Sequence, residues 1–266
     1  MDAPRMPPLM DWVPLATRLG LHIALGYLLA LLVLGPAPVG RFFYRLVGWT
    51  AAGTAALAGV LALAGGWPAE PAERLRVLAT FATVLPAPLY VSNKPPRRRA
   101  GLIAGAGCGL VALGAQAFGP RGLGAAQLVG DALGAAVAGG ACFAMVFGHG
   151  YLTVPKLPIA HLHRIVRWLG VALGARALQS LVVLAVSLPA LRAPEGPRFS
   201  AFDGLDFGAR YLVGLGMPLA FVAMTVSSLR YRNTQSATGI LYAATVLVWI
   251  GEAVALHLAQ KWHLAL

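Results

Sequence analysis

The sequence predicts an all-α, polytopic integral membrane protein, a bundle of about eight transmembrane helices forming one domain over residues 1–266, with N- and C-termini outside. Three observations carry this. Hydrophobic residues make up 58% of the chain and charged residues only 11%, where a soluble domain carries about 25% charged residues. Eight apolar runs approach the roughly 20 residues that a hydrocarbon layer demands. Lysine and arginine then alternate from loop to loop as the positive-inside rule requires.

The runs lie near 12–34, 43–65, 76–92, 100–118, 127–151, 166–190, 211–229 and 238–260. The first follows MDAPRMPPLMDW, which lacks the compact basic region of a signal peptide, so it reads as a retained helix. The third is short and holds Pro86 and Pro88, which predicts a kink. The fourth is glycine-rich and the least hydrophobic. If either failed to span, the count would fall to six or seven.

Loop charge supports eight. The first, third, fifth and seventh loops hold Arg41 and Arg45; Lys94, Arg97, Arg98 and Arg99; Lys156, Arg164 and Arg167; and Arg230 and Arg232. Those eleven bases are accompanied by no acid. The intervening loops mix signs, the longest, 191–210, holding Arg192, Glu195, Arg198, Asp203, Asp206 and Arg210. A wrong span count would scramble the alternation. It also explains the net charge of +12 as membrane orientation and argues against nucleic acid as a partner. A bacterial-type cytoplasmic membrane is the expected location. The expected partners are membrane lipids and other subunits of a membrane complex.

Tryptophans 12, 49, 67, 168 and 262 mark span edges, and Trp249 lies deeper. Glycines 101, 105 and 109, and glycines 130 and 134, recur every four residues. That spacing lets helix backbones approach closely and predicts that the fourth and fifth spans form a tight pair. Cys108 and Cys142 fall inside apolar runs and read as packing residues. PLYVSNKPP (88–96) and GYLTVPKLP (150–158) echo one another weakly, as an internal repeat or as similar interface chemistry would.

Ionisable side chains at mid-membrane cost about 2.5–3.5 kcal/mol or more each, so they are usually paired or functional. Glu252 interrupts the last run roughly 12–14 Å from its outer end. Arg18 and His22 share a face of the first span. Arg176, Gln179 and Ser180 share a face of the sixth, and Asp131 and Arg210 are expected above them near the outer rim. If these spans are neighbours, a polar pocket forms in the outer half. Glu252 and His22 are the candidate proton acceptors; Arg18, Arg176, Gln179 and Asp131 are candidate ligand-binding residues. The bland alternative is a buried ion pair that pins helices together.

A second set of polar residues marks the inner face. His149 sits between Gly148 and Gly150, which leave room for a planar group such as haem b. No histidine matches its depth; His22 and His257 share the outer half but differ in depth by roughly 8 Å. His161 and His163 would ligate a metal from an extended segment. In RYRNTQSATGILY (230–242), Thr234 or Ser236 can cap the last helix. No GxSxG, HExxH or GxxxxGK[ST] occurs, so no hydrolase or ATP-motor signature is present.

In span count and pocket depth the chain is similar to the quinol-oxidising membrane subunits of bacterial respiratory complexes, an analogy of architecture carried by no motif. It implies a redox subunit that binds a quinone, with haem b a second cofactor to consider. Two other classes stay open. One is a proton-coupled transporter using Glu252 and Asp131. The other is a structural or assembly subunit with no chemistry of its own.

Overall fold

The computed structural model describes residues 12–154, 157–191 and 201–266. Residues 1–11, Lys156, Arg192, Glu195 and Arg198, which figure in the sequence argument, lie outside the described residues. The elements are α1 (Trp12–Leu34), α2 (Arg41–Ala62), α3 (Pro71–Ala82), α4 (Ala87–Tyr90), α5 (Pro95–Ala117), α6 (Ala125–Thr153), α7 (Ile159–Leu191), α8 (Ala201–Gly208), a π-helical segment (Ala209–Gly216), α9 (Met217–Arg230) and α10 (Thr234–Trp262). Among the described residues seven helices are long and apolar enough to cross a membrane, the α8–π–α9 rod counting as one. The protein is therefore a multi-pass, all-α membrane protein. Val171, Val186, Leu212 and Val246 are exposed on the helix surfaces, as lipid-facing side chains should be.

The eighth run expected from the sequence is the broken helix α3–α4, which is not among those seven helices. Ala72 lies against Gly119 just past α5, and Leu89 lies against Gly101 near the start of α5. The 18 residues from Gly101 to Gly119 correspond to about 27 Å of helix. So α3 and α4 together run antiparallel to α5 across most of a bilayer. Pro86 and Pro88 remove the N–H groups that would bond the carbonyls one turn back. The Ala87 N–H bonds the Val84 carbonyl at 2.9 Å, and the fully buried Tyr90 hydroxyl donates to the Thr83 carbonyl that is left over. Gly105 makes room for that ring, since a β-carbon there would meet the Tyr90 hydroxyl.

Helices α1 and α6 form the centre. The close backbone approach falls between Gly26 of α1 and Gly139 of α6, where a β-carbon on either would strike the other backbone. This corrects the expected pairing. Glycines 101, 105 and 109 of α5 receive Leu89, Tyr90 and Leu25, not α6. A four-residue spacing marks a flat face and does not say what covers it. Below the crossing, Tyr27 packs edge-on to Phe143, with ring centroids 6.5 Å apart, and Phe143 packs on Phe147 at 5.8 Å. The inner half of this seam is therefore apolar.

Three boundaries differ from expectation. Helix α7 begins at Ile159 and takes in His161 and His163. On a helix, residues two apart point to different sides, so this pair cannot chelate one ion. Helix α8 begins at Ala201, inside the stretch read as a loop. Its Asp203 is buried and accepts from the Lys261 ammonium at 2.5 Å, so the acid does not force the segment into solvent. Helix α10 is capped by Asn233, whose side chain accepts from the Ser236 N–H at 3.0 Å, rather than by Thr234 or Ser236. Cys108 and Cys142 are both free thiols.

Candidate functional site

Five elements bring the outer-half polar residues together. Glu252 on α10 is 1% exposed and bonded on both carboxylate oxygens. Arg176 of α7 grips it side-on, Nε to Oε1 at 3.3 Å and Nη2 to Oε2 at 3.1 Å. Arg210 of the π segment donates Nη1 to Oε1 at 2.9 Å and to the Gly251 carbonyl at 3.3 Å. Charge-assisted, bidentate contacts of this kind are the strong ones. Arg210 was expected at the outer rim. The structure draws it inside because the rod starts earlier, and Gly214 packs directly on the Gly251 backbone.

Asp131 on α6 forms a second centre. It pairs with the Arg18 guanidinium, and the Gln127 amide approaches its Oδ2 at 3.5 Å. His22 Nε2 lies 3.3 Å from its Oδ1, within ion-pairing reach though not aligned as a hydrogen bond. The His22 ring is fully buried and its Nδ1 has no hydrogen-bond partner among the described residues.

Gly134 joins the two centres. A β-carbon there would sit 2.6 Å from Glu252 Oε2 and 3.1 Å from His22 Nδ1. Gly130, one turn earlier, faces Arg176 and Gln179 in the same way, at 3.1 and 3.3 Å. These two glycines are the floor of the site, where the sequence suggested only helix packing.

The segment after α10 closes the outer side. His263 adopts a left-handed conformation, φ 50°, which ends the helix and turns the chain back. Leu264, Ala265 and Leu266 are buried. Gln179 donates to the Ala265 carbonyl at 2.6 Å, and Arg176 to the Leu266 main-chain oxygen at 2.7 Å. Arg176 Nη1 also donates to Gln179 Oε1 at 2.7 Å. Main-chain oxygens thus complete the acceptors of Arg176 and Gln179.

Of the predicted residues, Arg18, His22, Asp131, Arg176, Gln179 and Glu252 converge. His149 and His257 do not. The His149 ring lies at the far end of the bundle, 3.3 Å from the Tyr242 hydroxyl. Tyr242 and His257 are 15 residues apart on α10, about 22 Å. His257 is exposed and 3.8 Å from Asp206. The described residues hold no cluster of three or more His, Cys, Asp or Glu side chains suited to a metal ion.

Three arginines face two carboxylates, so with His22 neutral the side chains carry one surplus positive charge. Arg210 Nε and Nη2 are buried without an acceptor among the described residues. Chemically the site is short of electron-rich oxygen. No protein family, curated protein or solved structure matches the chain.

Proposed function

We propose that this protein is a membrane subunit of a redox complex in a bacterial cytoplasmic membrane, holding a quinol-type ligand in its outer half. One observation carries the reading. Arg210 keeps two buried N–H donors without an acceptor among the described residues, and the unpartnered ring of His22 lies against Gly134 beside the same Glu252 carboxylate. An unsatisfied donor in hydrocarbon costs several kcal/mol, and the carbonyl or hydroxyl oxygens of a quinone ring supply the missing acceptors. The donor set fits such a ring. A ring also needs room, which the site gains when residues 264–266 withdraw their two main-chain oxygens from Arg176 and Gln179.

A bound quinol would release two electrons to a redox centre of another subunit of the complex and two protons toward the outer side. The chain's own residues divide the work. Asp131 orients the His22 ring, leaving Nδ1 to accept a proton. Glu252, clamped by Arg176 and Arg210, serves as the fixed counter-charge that keeps both guanidiniums in place. Proton uptake by Glu252 itself would require it to leave two arginines.

The test is organic extraction of the protein purified in mild detergent, with titration by a short-chain quinone followed through tryptophan fluorescence. Saturable binding is expected, weakened roughly tenfold in His22→Ala, the equivalent of one lost hydrogen bond of about 1.4 kcal/mol. An extract without quinone, together with no saturable binding, refutes the reading.

A second reading has its own support. Glu252 is fully bonded and the site is closed, as a helix clamp would be. That subunit would bind no quinone and keep its host complex active in His22→Ala. The carrier reading draws less support, because the α1–α6 seam beneath His22 is closed by backbone contact at Gly26 and Gly139.

A further inference from the structure

A cavity of about 950 Å³ opens at the opposite, arginine-rich end, between the last turn of α1 and the first turns of α5 and α7. Arg98, Arg99 and Arg164 line its rim, and Leu32 and Ile103 line its wall. The arginines are anchored without acids. Arg98 stacks on the Tyr44 ring at 3.7 Å, and Arg164 donates to the Leu34 carbonyl at 3.2 Å. Helix α5 starts here with no side-chain cap on its first turn, adding the positive end of its dipole.

Among the described residues the charge has no internal answer. The chain has nine acids, and none falls in the four arginine-rich loops. The described carboxylates nearest in sequence, Glu73 and Asp131, belong to the outer side of α3 and α6. No described carboxylate is therefore placed to balance these cations. The wall beside the cations is apolar: Leu32 and Ile103 line it, and Ile103 is 54% exposed, as a side chain facing acyl chains would be. Cationic rim and apolar wall together match an amphiphile at headgroup depth.

The geometry points to a binding site for an anionic glycerophospholipid, its phosphate held by Arg98, Arg99 and Arg164 and its acyl chain lying along Leu32 and Ile103. The site is separate from the outer-half centre and does not depend on the quinol reading.

The experiment is a thermal-shift and native mass-spectrometry titration of the full chain in detergent. The probes are phosphatidylglycerol, phosphatidylcholine and inorganic phosphate. Phosphatidylglycerol is expected to bind and raise Tm, with phosphatidylcholine at least roughly tenfold weaker. Arg99→Gln with Arg164→Gln should weaken phosphatidylglycerol by roughly tenfold. Arg230→Gln with Arg232→Gln, a basic pair that does not line the cavity, should leave it unchanged. The proposal is overturned by equal binding of the two lipids, by the same loss in both double variants, or by no loss in the first. A shift from inorganic phosphate equal to that from phosphatidylglycerol would assign the site to the free ion and overturn the lipid. If the first variant pair does not fold, wild-type discrimination between the two lipids decides alone.

Discussion

Arginine does opposite work at the two ends of this bundle. In the outer half, Arg176 and Arg210 are at most 1% exposed and both hold the same carboxylate. At the other end, Arg98, Arg99 and Arg164 border an open cleft whose described lining holds no acid. The difference is one of surroundings. Within hydrocarbon a guanidinium must find a counter-charge or pay several kcal/mol. At the interface, water and lipid phosphate are at hand, and the chain is free to leave the cation unpaired. The outer arginines should therefore carry stability, and the inner ones should carry ligand affinity.

Four variants and one matched control sharpen or break that contrast. The largest effect belongs to Glu252→Gln, which leaves Arg176 and Arg210 buried without their carboxylate. A loss of about 3–5 kcal/mol is expected in denaturation from detergent micelles, and a loss below 1 kcal/mol would mean the arginines have other partners. Gly134→Ala comes next. Its β-carbon would crowd Glu252 and His22, which predicts about 1–3 kcal/mol of destabilisation. Gly107→Ala on α5, with nothing within 4 Å, is the matched control and should be nearly neutral. Tyr90→Phe removes the hydroxyl that serves the Thr83 carbonyl and should lower stability by about 1 kcal/mol. Smallest is the lipid-free stability of Arg99→Gln with Arg164→Gln, expected within about 0.5 kcal/mol of wild type. A large loss there would mean that the inner arginines are structural after all.

Much of this was legible in the residues. Glu252, Arg176, Arg18, His22 and Asp131 stood out because an ionisable group inside an apolar run needs an explanation, and shared faces and depths grouped them. The alternation of basic loops predicted about eight crossings; seven helices among the described residues are long and apolar enough to span, and the run broken at Pro86 and Pro88 is the one that falls short. Other parts were hidden for physical reasons. Arg210 looked peripheral because FDGLDFGAR carries two acids, and burial of Asp203 against Lys261 is a tertiary event. The floor at Gly130 and Gly134 was mistaken for a packing stripe because a missing side chain does not announce what fills its place. The main contact of α1 with α6 rests on Gly26 and Gly139, two glycines from distant parts of the chain with no periodic signal between them. The return of Leu264–Leu266 over the site follows from a single left-handed residue, His263, that no pattern foretells.

The wide turns at Ala209–Gly216 have a consequence for how this chain tolerates length change. A π segment stores surplus chain within a rod that otherwise winds at 3.6 residues per turn. Excising one residue there would let the rod rewind as an ordinary helix, with Ala201–Gly208 and Met217–Arg230 both keeping their facing. Arg210, inside the segment, is the side chain whose direction would change. The segment acts as a phase adjuster, and the outer ionic centre is the part of the molecule that reads its setting.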